Sequence, residues 1–223
     1  MILLILPHGA RRPLGLAPRG APAGRAVTLL EPSGLSAPGW AHDPDRPRED
    51  RLVLDGEIRP ARQLTAVITV LDDVTPADLP HVRAEDRCFV ASEMTAFLRS
   101  WLQTLACPVL DPPTALALSG AAGDRATWSR ATALLAVADR QASAVPRIRT
   151  RAITVIGGRV IGPAPAPTAA TALSLVQAAG VTAARLTLAD DADEPALYAA
   201  APWWYAPSPA ALRALLTHAR ELS

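Results

Sequence analysis

Two short apolar runs, residues 64–71 with Val67, Ile68, Val70 and Leu71, and residues 107–110 (Cys107-Pro-Val-Leu110), flank a segment of a different period. From Ser92 onward Met94, Phe97, Leu98, Trp101, Leu102 and Leu105 fall at offsets 0, 3, 4, 7, 8 and 11, so all six share one helix face. Ser92 stands where an N-cap is expected and Glu93 suits the first turn. A strand, an amphipathic helix and a strand in that order predict a crossover between parallel strands, which confines this part of the chain to an α/β architecture.

The remaining punctuation extends that scheme. Residues 2–6 form a continuous apolar run, as in a strand covered on both faces, and a Gly/Pro/Arg-rich linker over 7–25 precedes a second strand at 26–30. Residues 31–50 read as a Pro/Asp/Arg-rich loop. Asp55-Gly56 and Gly157-Gly158 each separate two apolar runs by two residues, the signature of a tight hairpin. A helix over 125–140 presents Trp128, Leu134 and Leu135; another over 168–179 is closed by Gly180; a strand spans 184–188; and Ser208-Pro209 opens a last helix bearing Leu212, Leu215 and Leu216. The predicted class is α/β, with a Rossmann-like, mostly parallel sheet over 1–120, a helical link over 121–150 and a smaller α/β part over 151–223.

Composition narrows the chemistry more than any motif does. All 22 basic residues are arginine, and there is neither lysine nor asparagine. Schiff-base catalysis and a P-loop both need lysine, and a guanidinium can clamp an anion but cannot lose a proton to act as base or nucleophile. The net charge of +1 and the lack of a basic stripe give no reason to expect nucleic acid. The apolar run at the amino terminus lacks a basic flank and is too short for a signal or membrane span, so a soluble, cytoplasmic protein without membrane attachment is expected. Cys88 and Cys107 are too few for a disulfide framework or zinc site and are read as reduced thiols.

Several small constellations carry residue types capable of chemistry. The run Asp190-Asp191-Ala192-Asp193-Glu194 reads as a solvated turn before it reads as a magnesium site. His42-Asp43 with Asp45 lies in a proline-rich loop, a poor holder of catalytic geometry. Cys88 and His81, seven residues apart, could pair as thiolate and imidazole, but a packed thiol explains Cys88 as well. Three consecutive rings, Trp203-Trp204-Tyr205, cannot all enter one core, so at least one is expected at the surface or an interface. No G-x-G-x-x-G follows a strand and no G-x-S-x-G is present.

The run Phe89-Val-Ala-Ser-Glu-Met-Thr-Ala-Phe-Leu-Arg-Ser-Trp-Leu102, followed by Cys107-Pro-Val-Leu-Asp-Pro-Pro113, resembles the amino-terminal (pre-ATP-grasp) domain of ATP-grasp enzymes associated with peptide modification and natural-product synthesis. Asp111 stands at that element's usual Asn. Residues 120–128 resemble the link that precedes the ATP-binding lobe, and residues 153–179 are similar to the end of that lobe. The resemblance implies ATP held between two lobes by lysines and a late acid/asparagine pair. Here there is no lysine, there is no room between Arg140 and Ala152 for a lobe of roughly 80–100 residues, and alanines occupy the late position in Leu197-Tyr-Ala-Ala-Ala-Pro-Trp203.

The expectation is therefore a truncated, degenerate ATP-grasp-like pseudoenzyme with no cofactor, no metal and no catalytic residue carried over. It would bind or scaffold a biosynthetic enzyme as a protein partner or homo-dimer, with Trp203, Trp204 and Tyr205 as interface candidates. The alternative is an enzyme, or a subunit completed by a partner chain, that binds an anionic small molecule or nucleotide through Arg83, Arg87 and Arg125.

Overall fold

The structure is a computed structural model and describes residues 1–10, 27–141, 149–189, 195–205 and 208–222. Met1–Gly120 and the residues from Ala219 on form one compact unit, and Ala121–His218 the other.

The first unit is organised by four parallel strands: β1 (Ile2–Ile5), β2 (Val27–Leu30), β5 (Ala66–Thr69) and β6 (Val109–Leu110), in the order β2-β1-β5-β6. Every residue of β1 and β5 is buried, the pattern of central strands covered on both faces. Between β2 and β5, β3 (Arg51–Leu54) and β4 (Glu57–Pro60) form an antiparallel hairpin. Its turn residues Asp55 and Gly56 have φ of 52° and 80°, both in the left-handed region that a type I′ turn demands.

The helix α1 (Arg87–Thr104) makes the predicted crossover from β5 to the parallel β6. Leu98, Trp101 and Leu102 are buried in the core with Leu3, Ile5 and Val67, and Met94, Phe97 and Leu105 pack against the same cluster. Its start differs from expectation. The helix opens at Arg87 with Asp86 in the N-cap position, and Ser92 lies inside it, its hydroxyl donating to the Cys88 carbonyl. The first turn carries Phe89 on an exposed face, so the apolar stripe begins later than the helix does.

The second unit holds five strands, β7 (Ala138–Asp139), β8 (Thr150–Ile156), β9 (Arg159–Ile161), β10 (Ala183–Ala189) and β11 (Ala196–Pro202), ordered β7-β11-β10-β8-β9. All neighbours are antiparallel except β7 with β11. The β8–β9 turn sets Gly157 and Gly158 at φ of 54° and 73°. A Cβ on Gly157 would also come within 2.5 Å of the His218 ring, so that glycine is required twice over.

Helices α2 (Arg125–Leu134) and α3 (Ala166–Ala179), closed by Gly180 at φ 67°, complete this unit with the residues up to His218 of α4 (Pro209–Glu221), where the Ser208 hydroxyl accepts from the Ala211 amide. The helix expected over 125–140 is cut short. Ala136 at φ 54° turns the chain into β7, Trp128 is buried, and Leu134 is 75% exposed because the helix ends before it can meet the core. Asp124 caps α2, accepting from the amides of Ala126 and Thr127 at 3.1 Å each and from the Thr127 hydroxyl at 2.7 Å.

Two outcomes are expected. Leu98→Ala, which empties a fully buried site, costs about 2–5 kcal/mol in urea unfolding. The Thr127 hydroxyl and the two amides hold the Asp124 carboxyl below its ordinary value. That contribution is therefore present above the ordinary carboxylate range and lost as pH falls through the lower folded value. Asp124→Ala costs about 1 kcal/mol at neutral pH, and unfolding curves show the gap to the unmodified chain closing in acid.

Candidate functional site

In an open parallel sheet ligands bind beyond the carboxyl ends of the strands where the order reverses, here between β1 and β5. That edge is rich in carboxylates already engaged by the chain itself. Asp78 is buried and accepts from the His8 amide at 2.8 Å, the Thr75 amide at 2.9 Å and the Thr75 hydroxyl at 2.6 Å. Asp72 accepts from the Ser119 hydroxyl, and Asp73 lies 3.6 Å from the Arg99 guanidinium. The Thr69 hydroxyl is buried without a partner. Among the described residues a polyphosphate here would meet negative charge, and the chain has no lysine to set against it.

A second constellation lies on α1. The His42 ring bridges two residues, with Nδ1 2.8 Å from Asp50 Oδ2 and Nε2 2.8 Å from Ser100 Oγ. Asp50 is 1% exposed and also accepts from the Asp43 amide at 3.0 Å. Phe97 sets its ring edge-on to His42 at 5.9 Å and to Trp40 at 5.8 Å, and Trp40 meets Trp101 at 5.5 Å in the same manner. The loop over 31–50, expected to be a poor holder of catalytic geometry, is fastened to α1 by rings and by a buried Asp–His–Ser line.

The line has the residue types of a hydrolytic triad but not its setting. Ser100 sits within α1, where helix hydrogen bonds consume the neighbouring amides, so no pair of free amide donors faces its oxygen to stabilise an oxyanion. The arrangement anchors a loop. Asp50 and Ser100 escaped sequence reasoning because they lie 8 and 58 residues from His42.

A cavity of about 320 Å³ lies at the carboxyl end of α1, between Thr104–Cys107 and two 3-10 turns, Pro47–Glu49 and Ala61–Gln63. Leu64, Leu105 and Cys107 give it an apolar wall, and Arg48 and Arg62 stand beside it. Burial raises the Cys107 thiol above its ordinary pKa, so it stays protonated and unreactive at neutral pH.

The residues singled out from sequence fall as follows. Arg83 pairs with Asp86 at 2.8 Å and Glu85 at 3.4 Å, and Arg87 donates to the carbonyls of Val82 and Pro80, so both tie the turn before α1. Arg125 opens α2 in the other unit. Its charge adds to the lowering of the Asp139 pKa, which the Ser129 hydroxyl chiefly causes. His81 bonds the Ser36 hydroxyl at 2.9 Å while Cys88 is exposed on α1. Trp203 is buried and Tyr205 is 66% exposed, with Trp204 edge-on to both. The acidic run at 190–194 lies outside the described residues. Among the described residues no group of three or more His, Cys, Asp or Glu could hold a metal ion, and no helix is long and apolar enough to cross a membrane.

No family model matches the sequence, and no curated protein does. Solved structures do match in three dimensions. The macrocyclase MdnC from Microcystis aeruginosa MRC, bound with precursor peptide MdnA, superposes with a TM-score of 0.67 at 10% identity, over 100% of this chain and 99% of that one. The ATP-grasp ligase PsnB, complexed with minimal precursor, Mg and ADP, gives 0.59 at 11% identity over 98% of both chains. The fold is ATP-grasp-like. The macrocyclase MdnB from the same organism gives 0.55 at 12% identity over 98% of this chain and 96% of that one. The likeness in three dimensions establishes the ATP-grasp-like fold, and at such low identity function is left to the residues.

Removing either end of the anchoring line distinguishes anchor from triad. Asp50→Ala, which strands His42 and the Asp43 amide, costs about 2 kcal/mol, and Ser100→Ala about 1 kcal/mol, in urea unfolding. A fluorophosphonate probe leaves Ser100 unlabelled by mass spectrometry; labelling there would assign a nucleophile.

Proposed function

We propose that this chain is a non-catalytic ATP-grasp-like subunit that binds or scaffolds during peptide modification. The observation that carries the reading is a fold matched end to end with peptide-modifying macrocyclases and a ligase, in a chain that has no lysine to set against nucleotide phosphates. Two of those neighbours are seen with precursor peptides, which supports a peptide or protein as partner. The alanines 199–201 in β11, at the position where the resemblance expects a metal-binding acid, support loss of catalysis. The truncation lies inside the chain, between Arg140 and Ala152, in keeping with a match that reaches both ends of the neighbours.

The docking surface belongs to the second unit. Tyr205 is two-thirds exposed beside Trp204, and Leu134 is exposed at the end of α2. Aromatic side chains of this kind supply contact area at small entropic cost, and they suit either a partner protein or a second copy of the chain.

Calorimetric titration of ATP with magnesium gives no saturable heat in this reading. Saturable binding would overturn it and favour an arginine-based nucleotide enzyme, with Arg83, Arg87 and Arg125 the first residues to replace. Sedimentation at rising concentration shows self-association that Trp204→Ala with Tyr205→Ala weakens by roughly tenfold or more; a monomer throughout would remove the homo-dimer from the proposal.

A further inference from the structure

The cavity at the carboxyl end of α1 is of a size and chemistry that its surroundings leave unexplained. Its volume, about 320 Å³, falls at the lower end of the range of small-molecule sites, roughly 300–1,000 Å³. No carboxylate lines it, and the neighbouring Glu49 is directed to Arg46 at 3.6 Å. Arg48 and Arg62 carry two positive charges beside an apolar wall, and among the described residues neither guanidinium has a hydrogen-bond or ion-pair partner. Arginines without acids beside an apolar hollow match an anion with an apolar body.

The helix end fixes how such a ligand would lie. The last carbonyls of α1 point out of its carboxyl terminus and carry partial negative charge, which repels an anion placed against Thr104. The charged group therefore belongs at the mouth, near the guanidinium groups on the two 3-10 turns, and the apolar body against Leu64, Leu105 and the protonated Cys107 thiol. The site lies at the amino-terminal side of β5 and β6, since Leu64 precedes one strand and Cys107 the other.

We infer that this cavity binds a small amphiphilic carboxylate, its acid group held by Arg48 and Arg62 and its apolar body seated against Leu64, Leu105 and Cys107. The inference does not rest on the function proposed above, so the outcome of the ATP titration leaves it standing.

Octanoate and octanamide, equal in length and different in charge, are titrated into the full chain by calorimetry. Octanoate should bind saturably and at least tenfold more tightly than octanamide, and added salt should weaken the acid alone. In Arg48→Ala/Arg62→Ala, whose two sites are exposed and whose fold is checked by thermal melting, octanoate affinity falls to that of the amide and amide binding is unchanged. Ala106→Trp, at the exposed rim, removes both. No saturable binding of octanoate, equal affinity for the two probes, or a preference for the acid that survives loss of both arginines would overturn the inference.

Discussion

Parallel strands cannot be joined by a tight turn, so β5 and β6 require a connection that crosses one face of the sheet, and α1 is that connection. Much of the first unit depends on it. One side of the helix buries Leu98, Trp101 and Leu102 in the core, and Phe97 and Trp101 receive Trp40. Ser100 receives His42, Arg99 reaches Asp73, and Thr104 with Leu105 walls the cavity. A helix fixed by its apolar stripe becomes the surface on which loops without strong local preferences are ordered. A change in the register of α1 would displace the anchor and the cavity together.

The electrostatics run in a consistent direction. Among the described residues, the edge where open α/β sheets bind ligands carries aspartates that already accept from the chain's own amides and hydroxyls. Arg83 and Arg87 are likewise spent on the turn before α1. Arg48 and Arg62, which have no such partner among the described residues, stand beside an apolar hollow on the opposite side of the sheet. A fold shared with solved structures at 10–12% identity leaves the chemistry at its edges to be read from this chain's own residues.

Most elements were legible because each rests on a local rule. The continuous apolar runs marked β1 and β5, the residues Asp55-Gly56 and Gly157-Gly158 marked two hairpins through their positive φ, and Gly180 marked the end of α3. Where the periodic signal and the hydrogen-bonded element end at different places, the reading slipped. Phe89 lies on an exposed first turn, which hid the start of α1, and Leu134 extended an apolar pattern past the point where Ala136 turns the chain.

The sequence by itself determined the α/β class, the crossover, the hairpins and the lack of lysine chemistry, since periodicity, turn residues and composition are properties of neighbours along the chain. Tertiary structure alone decided that a proline-rich loop would be held rigidly. Trp40, His42 and Asp50 become an anchor only once α1 offers Trp101, Phe97 and Ser100 across some 60 residues of sequence. The cavity arose in the same way, from two short turns and a helix end that no local pattern relates. Contacts closed over such separations depend on the whole core having formed, so their partners carry no mark in the segments that supply them.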